Sequence, residues 1–163
     1  MRILGVDPGT VATGYGVVDS RRGRVTLVTA GCIRTRPDQP MSERLGAIHQ
    51  GLVEAIRATE PDSLAIEAIF HHKNAKSALI LGQARGVALL AAAQCGFDAA
   101  EYNPMTVKRS VGAHGNADKA ALGRMVCMLL GTQVTGPADI TDALAIAITH
   151  SAHVRTRVAL EAL

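Results

Sequence analysis

A chain of 163 residues, 48% hydrophobic and only 2% aromatic, with a net charge of +3, holds enough apolar material for one packed core and too little length for two large ones. Three widely spaced cysteines, Cys32, Cys95 and Cys127, form no CxxC pair, which excludes a disulfide framework or a cysteine-based zinc site and points to a reducing cytoplasm. The start MRILGVDPGT lacks the pattern of a signal peptide, and the longest apolar run, VALLAAA, is too short to span a bilayer.

Arg2 to Asp7 is an apolar run closed by Pro8-Gly9 and predicts a first strand. Gly14 to Val18 is rich in β-formers and Val25 to Ile33 alternates and branches, so both predict strands, with Gly23 between them marking a hairpin. From Ser42 to Thr59 the apolar positions Leu45, Ile48, Leu52, Val53 and Ile56 recur at helical spacing, and Pro61 ends the segment. Ser63 to Glu67 predicts a buried strand, Asn74 to Gln94 a long helix rich in Ala, Leu and Gly, and Ala99 to Tyr102 a last short strand. Three more helices open near Pro104, Ala117 and Asp139. Three strands in succession, then helices alternating with strands, predict an α/β fold over residues 1–163: a mixed five-stranded sheet with helices on its faces.

Four acids occupy the ends of these elements. Asp7 closes the first strand and Glu67 the fourth, at the edge where α/β sheets bind ligands, while Asp139 and Asp142 sit at the start of the last helix, within GPADITDALAIAI. Each has an ordinary explanation: Asp7 before Pro-Gly starts a turn, and an Asp near a helix start caps it and suits its dipole. Yet a carboxylate at a buried strand end is costly unless paired or bound to a metal, and none of the four has a Lys or Arg beside it in sequence. Together they make an oxygen-only set suited to Mg²⁺ or Mn²⁺, and four such groups suffice for two ions.

Two other readings of the N-terminal stretch fail. Gly9 to Gly14 has the glycine spacing of a P-loop, but Tyr15-Gly16 stands where Lys and Ser/Thr must follow. GVDPGT also resembles the phosphate loop of actin-like ATPases and sugar kinases, which need two domains to close over a nucleotide.

The blocks ILGVDPGTVATGYGVV, AGCIRT, LAIEAIF, KNAKSALILGQARGVALLAAA and ADITDALAIAITH, in this order and over nearly the whole chain, resemble the RuvC family of Holliday-junction resolvases. The resemblance implies a ribonuclease H-like fold, a homodimer formed partly by the long helix, and paired symmetric nicking of four-way DNA junctions in recombination and repair. It implies two ions per site, Mg²⁺ with Mn²⁺ as a substitute, and a branch-migration complex (RuvA and RuvB) as partner. The family's catalytic and metal-binding carboxylates fall on Asp7, Glu67, Asp139 and Asp142, the four acids already singled out. Some members have a histidine where this chain has Asp139, so the resemblance leaves open which helix acid binds more. Hydrolysis would proceed by in-line attack of water, leaving a 5′ phosphate and no covalent enzyme intermediate.

A phosphate backbone as substrate gives the basic residues a meaning. Lys73, Lys76, Arg85, Lys108, Arg109, Lys119 and Arg124 cluster in the second half, and each taken singly also fits a solvated surface charge. The resemblance gives Lys108 and Lys119 contact with the scissile phosphate, and the first six of these residues together with Phe70 are the expected DNA contacts, Arg124 aside. Phe70, three residues beyond Glu67, is placed to stack on an unpaired base or to cap the core. His71 and His72 contact phosphate or solvent; His114, His150 and His153 are not expected to be ligands. The small residues of the long helix permit close packing on the sheet or on a second copy, and the sequence alone favours the sheet. The alternative function is a ribonuclease H-like nucleic-acid-binding or RNA-processing protein that does not cleave junctions.

Overall fold

The computed structural model describes residues 1–68, 74–112 and 118–161. Its elements run β1 (Arg2–Asp7), β2 (Ala12–Arg21), β3 (Arg24–Arg34), α1 (Met41–Thr59), β4 (Ser63–Glu67), α2 (Ala75–Gln94), β5 (Ala100–Tyr102), α3 (Pro104–Ser110), α4 (Lys119–Leu130) and α5 (Ala138–Glu161). The strands form one sheet in the order β3-β2-β1-β4-β5. β1 pairs antiparallel with β2 and parallel with β4, and β5 continues the parallel half. This is the mixed five-stranded sheet expected from the order of elements.

The strand β2 is twice as long as the stretch Gly14 to Val18. Asp19, Ser20 and Arg21 are poor strand formers, but pairing with β3 on one side and with β1 through Asp19 carries them into the ladder. A two-residue turn joins β2 to β3, with Arg21 paired to Arg24 and both Arg22 (φ 48°) and Gly23 (φ 84°) left-handed. That is the φ pattern whose twist matches a hairpin, and it costs a non-glycine residue about 1 kcal/mol.

Alternation along the central strands divides the core. Leu4, Val6, Leu64 and Ile66 pack with Ile48, Leu52 and Ile56 of α1 and Ala84 and Ala88 of α2. Ile3 and Ala65 face the other way, onto Val107, Leu122, Val126, Leu144 and Ala147 of α3, α4 and α5. Both faces are thus covered by helices. Asp7 and Glu67, at the same parity as Ile3 and Ala65, fall on the α5 side of the sheet.

The helix α5 seats directly on strand backbone. A Cβ on Gly5 would stand 2.2 Å from the carbonyl oxygen of Ala143, and one on Gly14 would stand 1.9 Å from that of Asp139. These two glycines set how closely the helix start approaches the strand ends.

The small residues of α2 do not lead chiefly to the sheet. Its main neighbour is α1; only Ala84, Ala88, Ala91 and Ala92 are buried, while Leu79 and Leu90 are 72% and 51% exposed. By length and apolar content α2 is also the one helix among the described residues able to cross a bilayer, in contrast to the expectation from the run VALLAAA alone. Lys76 and Arg85 along it, and its alanine stripe in the core, make it part of the folded unit instead.

Candidate active site

The parallel register of β1 and β4 brings two acids side by side. Val6 pairs with Ile66, so Asp7 and Glu67 are the next residues on adjacent strands, about 5 Å apart in backbone, where the sheet ends. The loop behind Asp7 is fixed from below. Thr13 Oγ1 donates to the Gly9 carbonyl at 2.7 Å, and the buried Arg44 of α1 donates to the Thr10 carbonyl through Nε (3.1 Å) and Nη2 (2.8 Å). Arg44 is 8% exposed and donates also to Thr35 Oγ1 at 3.2 Å. A loop resembling a nucleotide phosphate clamp therefore has a carbonyl committed to an arginine of its own chain.

The helix α5 delivers the other two acids. It begins at Ala138, so Asp139 lies inside its first turn and Asp142 one turn on. Among the described residues no first-turn N–H donates to either carboxylate; the side-chain bond there is Thr141 Oγ1 to the Ala138 carbonyl, 2.8 Å. Asp142 instead accepts from Lys119 Nζ at 3.2 Å, across from α4.

A cleft of about 330 Å³ is lined by Asp7, Glu67, Asp142, Lys108 and Lys119, with Asp118 beside them. Five of the residues expected to carry the chemistry thus meet in one place. Asp139 is not in the cleft lining, but its charge is near enough to act on Asp7 and Lys119. Asp118 was not anticipated. It is the N-cap of α4, accepting from Ala121 N at 2.6 Å, and the signal was an Asp just before the helical run KAALGRM.

Electrostatics at the cleft is governed by crowding of like charge. Burial pushes the Asp7 carboxyl up to about 8, helped by repulsion from Glu67, Asp142 and Asp139 and opposed by Lys119. Burial and Asp142 also raise Glu67, with Lys119 and the neighbouring Asp7 side chain acting the other way. Asp142 in turn raises the Lys119 ammonium, which stays charged. Three or four carboxyls against one ion-paired lysine fit a hard divalent cation, with oxygen the donor throughout. As they stand, no three His, Cys, Asp or Glu side chains among the described residues converge closely enough to hold an ion. Metal loading must therefore draw these carboxylates together and displace the proton that Asp7 holds.

That proton makes stability depend on pH. The unfolded chain releases it near pH 4, whereas folded Asp7 holds it to about 8, so this group lowers stability progressively from about pH 4 to about pH 8 and by a constant amount above. A bound cation removes the penalty. Excess Mg²⁺ is expected to raise the melting temperature more at pH 9 than at pH 6 in differential scanning calorimetry; an equal rise at both would contradict the assignment of Asp7.

The other expected residues distribute as follows. Lys76 is exposed in the first turn of α2, Arg109 is exposed in the last turn of α3, and Arg124 is exposed on α4. Arg85 is ion-paired with Glu101 beside β5, which commits its charge within the fold. Phe70, His71, His72, Lys73 and His114 lie outside the described residues. His150 is buried, bonded to Tyr102 Oη (2.8 Å) and Ser63 Oγ (3.0 Å), at the Ser63 end of β4 away from Glu67, and the exposed His153 packs on the Tyr102 ring. Neither is near the acids. All three cysteines are free.

Known proteins resemble this chain over most of its length. The family model described as Crossover junction endodeoxyribonuclease RuvC matches residues 3–150. Proteins of that name from Pelotomaculum thermopropionicum and Myxococcus xanthus are 49% and 48% identical to this chain, covering 94% and 97% of it and 94% and 84% of their own lengths. The structure of Thermus thermophilus RuvC in complex with a Holliday junction substrate superimposes with a TM-score of 0.89 at 34% identity, over 96% of both chains. The yeast mitochondrial Holliday junction resolvase Ydc2 shares the fold, with a TM-score of 0.64 at 12% identity, over 94% of this chain and 82% of its own.

Proposed function

The chain belongs to the RuvC family of crossover junction endodeoxyribonucleases, and we propose that it hydrolyses phosphodiesters at four-way DNA junctions using the carboxylates Asp7, Glu67, Asp139 and Asp142. It is a Holliday-junction resolvase with a ribonuclease H-like fold. The observation that carries the site assignment is the meeting of Asp7, Glu67, Asp142, Lys108 and Lys119 in one cleft at the sheet edge.

Asp7, Glu67, Asp139 and Asp142 would hold two divalent ions, Mg²⁺ or Mn²⁺, which would supply Lewis acidity for activating water and for the leaving 3′ oxygen. The chain's own part is to orient and to balance charge. Asp7 and Glu67, fixed by strand register, present oxygens at the sheet edge. Asp142 and Asp139 complete the set from the first turns of α5. Lys119, held at Asp142, and Lys108 face a phosphate entering the cleft and stabilise charge on its oxygens. Lys76 and Arg109 contact the backbone farther out, Lys73 accompanies them, and Phe70 stacks on a base at the junction centre. Arg85 reaches DNA only by leaving Glu101.

Two symmetric cuts need two sites, so the working form is a homodimer. The exposed Leu79 and Leu90 on α2 favour that helix as the contact. DNA as substrate and three free thiols fit a single nuclease domain over 1–163 acting in the cytoplasm with RuvA and RuvB. To test the reaction, a synthetic four-way junction and a linear duplex of the same arms are incubated with the protein in Mg²⁺, Mn²⁺ or EDTA. Cleavage of the junction alone, lost in EDTA, is expected; equal cutting of the linear duplex would refute the substrate.

A further inference from the structure

A second cleft lies at the opposite end of the sheet. Asp7 pairs with Gly14, and β2 then runs on to the Arg22-Gly23 turn, roughly 26 Å from the acids at about 3.3 Å per residue. There the hairpin meets the later turns of α5 around a cavity of about 480 Å³. Arg22, Arg24 and Arg155 line it together with Val25, Leu129 and Ile148, and no acidic residue is among its walls. Arg155 Nη1 donates to the Gly23 carbonyl at 3.0 Å, joining helix to turn. None of the three arginines is in an ion pair among the described residues.

Two features separate this surface from an ordinary solvated rim. Arg22 occupies a left-handed position that Asn or Gly fills without strain, so the arginine is kept there against the local preference of the turn. The cavity also has an apolar side, with Leu129 42% exposed, and Val158, one turn beyond Arg155 on the same face of α5, is 57% exposed. Guanidinium groups around an apolar hollow match carboxylates flanking an apolar side chain. A nucleic-acid backbone carries the charge but nothing to fill the hollow. We propose that this cleft docks an acidic peptide segment of a partner protein, anchored by a large apolar residue, while the opposite sheet edge holds the junction.

The test is fluorescence anisotropy at physiological salt with a labelled peptide whose run of aspartates ends in Leu-Phe. Saturable binding is expected, lost when the aspartates are replaced by asparagines or the Leu-Phe by Ser-Ser. The double variant Arg22→Asn, Arg24→Gln should weaken it about tenfold or more. Because Asn suits the turn, that variant should melt no lower than the unaltered protein and cut four-way junctions at the same rate, which separates loss of docking from loss of folding. No saturable binding, or binding equal in the double variant, would overturn the proposal. So would a linear duplex that displaces the peptide and is itself weakened by the same substitutions, since the face would then be a DNA contact.

Discussion

Asp7→Asn is expected to abolish junction cleavage while making the metal-free protein more stable at alkaline pH. The substitution keeps the size of the side chain and removes the charge that three other carboxylates repel. Loss of a metal ligand removes several kcal/mol of transition-state stabilisation, at least about 10³-fold in rate at 1.36 kcal/mol per decade. Above pH 8 the native chain must hold Asp7 ionised against burial and its neighbours, and the asparagine is spared that cost. The variant should therefore melt higher than the native chain in EDTA at pH 9 and show a smaller rise on adding Mg²⁺. Junction binding, carried by the basic residues, should survive. Single-turnover cleavage, calorimetry and gel shift read these three outcomes separately. An inactive variant that melts lower at pH 9 would place Asp7 in a structural role.

Gly14→Ala should reduce cleavage on the order of 10²-fold in a chain that still folds. The new methyl group would lie 1.9 Å from the Asp139 carbonyl oxygen and 2.4 Å from its carbon, both backbone atoms, so the first turn of α5 must move. That turn carries Asp139 and leads directly into Asp142, and a displacement of about 1 Å at a catalytic group commonly costs this much. Gly5→Ala meets the same helix deeper, 2.2 Å from the Ala143 carbonyl oxygen, where overpacking costs about 1–3 kcal/mol or more. Its effect should appear in urea denaturation as well as in rate. Gly46→Ala is the control: it lies in α1 with nothing within 4 Å of the new Cβ and should stabilise by up to about 1 kcal/mol without altering cleavage. Equal activity of Gly14→Ala and Gly46→Ala would mean that helix position does not limit the chemistry.

These predictions draw on different amounts of sequence information. The order of strands and helices was legible because β1, β4 and α1 carry strong periodic patterns bounded by Pro and Gly. The carboxylates were legible because an acid at the end of an apolar strand contradicts its surroundings. Which acids would lie side by side was not, since it depends on the Val6 to Ile66 register between strands 60 residues apart. Arg44 escaped notice for a similar reason: it lies amid an amphipathic helix, and only the folded loop supplies the Thr10 carbonyl it serves. Gly5 and Gly14 look like weak strand residues in sequence, and their purpose appears only when α5 lies across them. The alanine-rich α2 has a composition suited to close packing, which by sequence alone favours the sheet, whereas α1 is its principal neighbour.

The most direct measurement is to map the cuts on a four-way junction labelled in turn on each strand, with Mg²⁺ present, and to treat the products with DNA ligase. Nicks at symmetric positions in two strands of like polarity, sealed by ligase without further processing, are the result predicted for paired sites that leave a 5′ phosphate and a 3′ hydroxyl. Unpaired or asymmetric nicks, or ends that ligase cannot join, would contradict paired hydrolysis at Asp7, Glu67, Asp139 and Asp142.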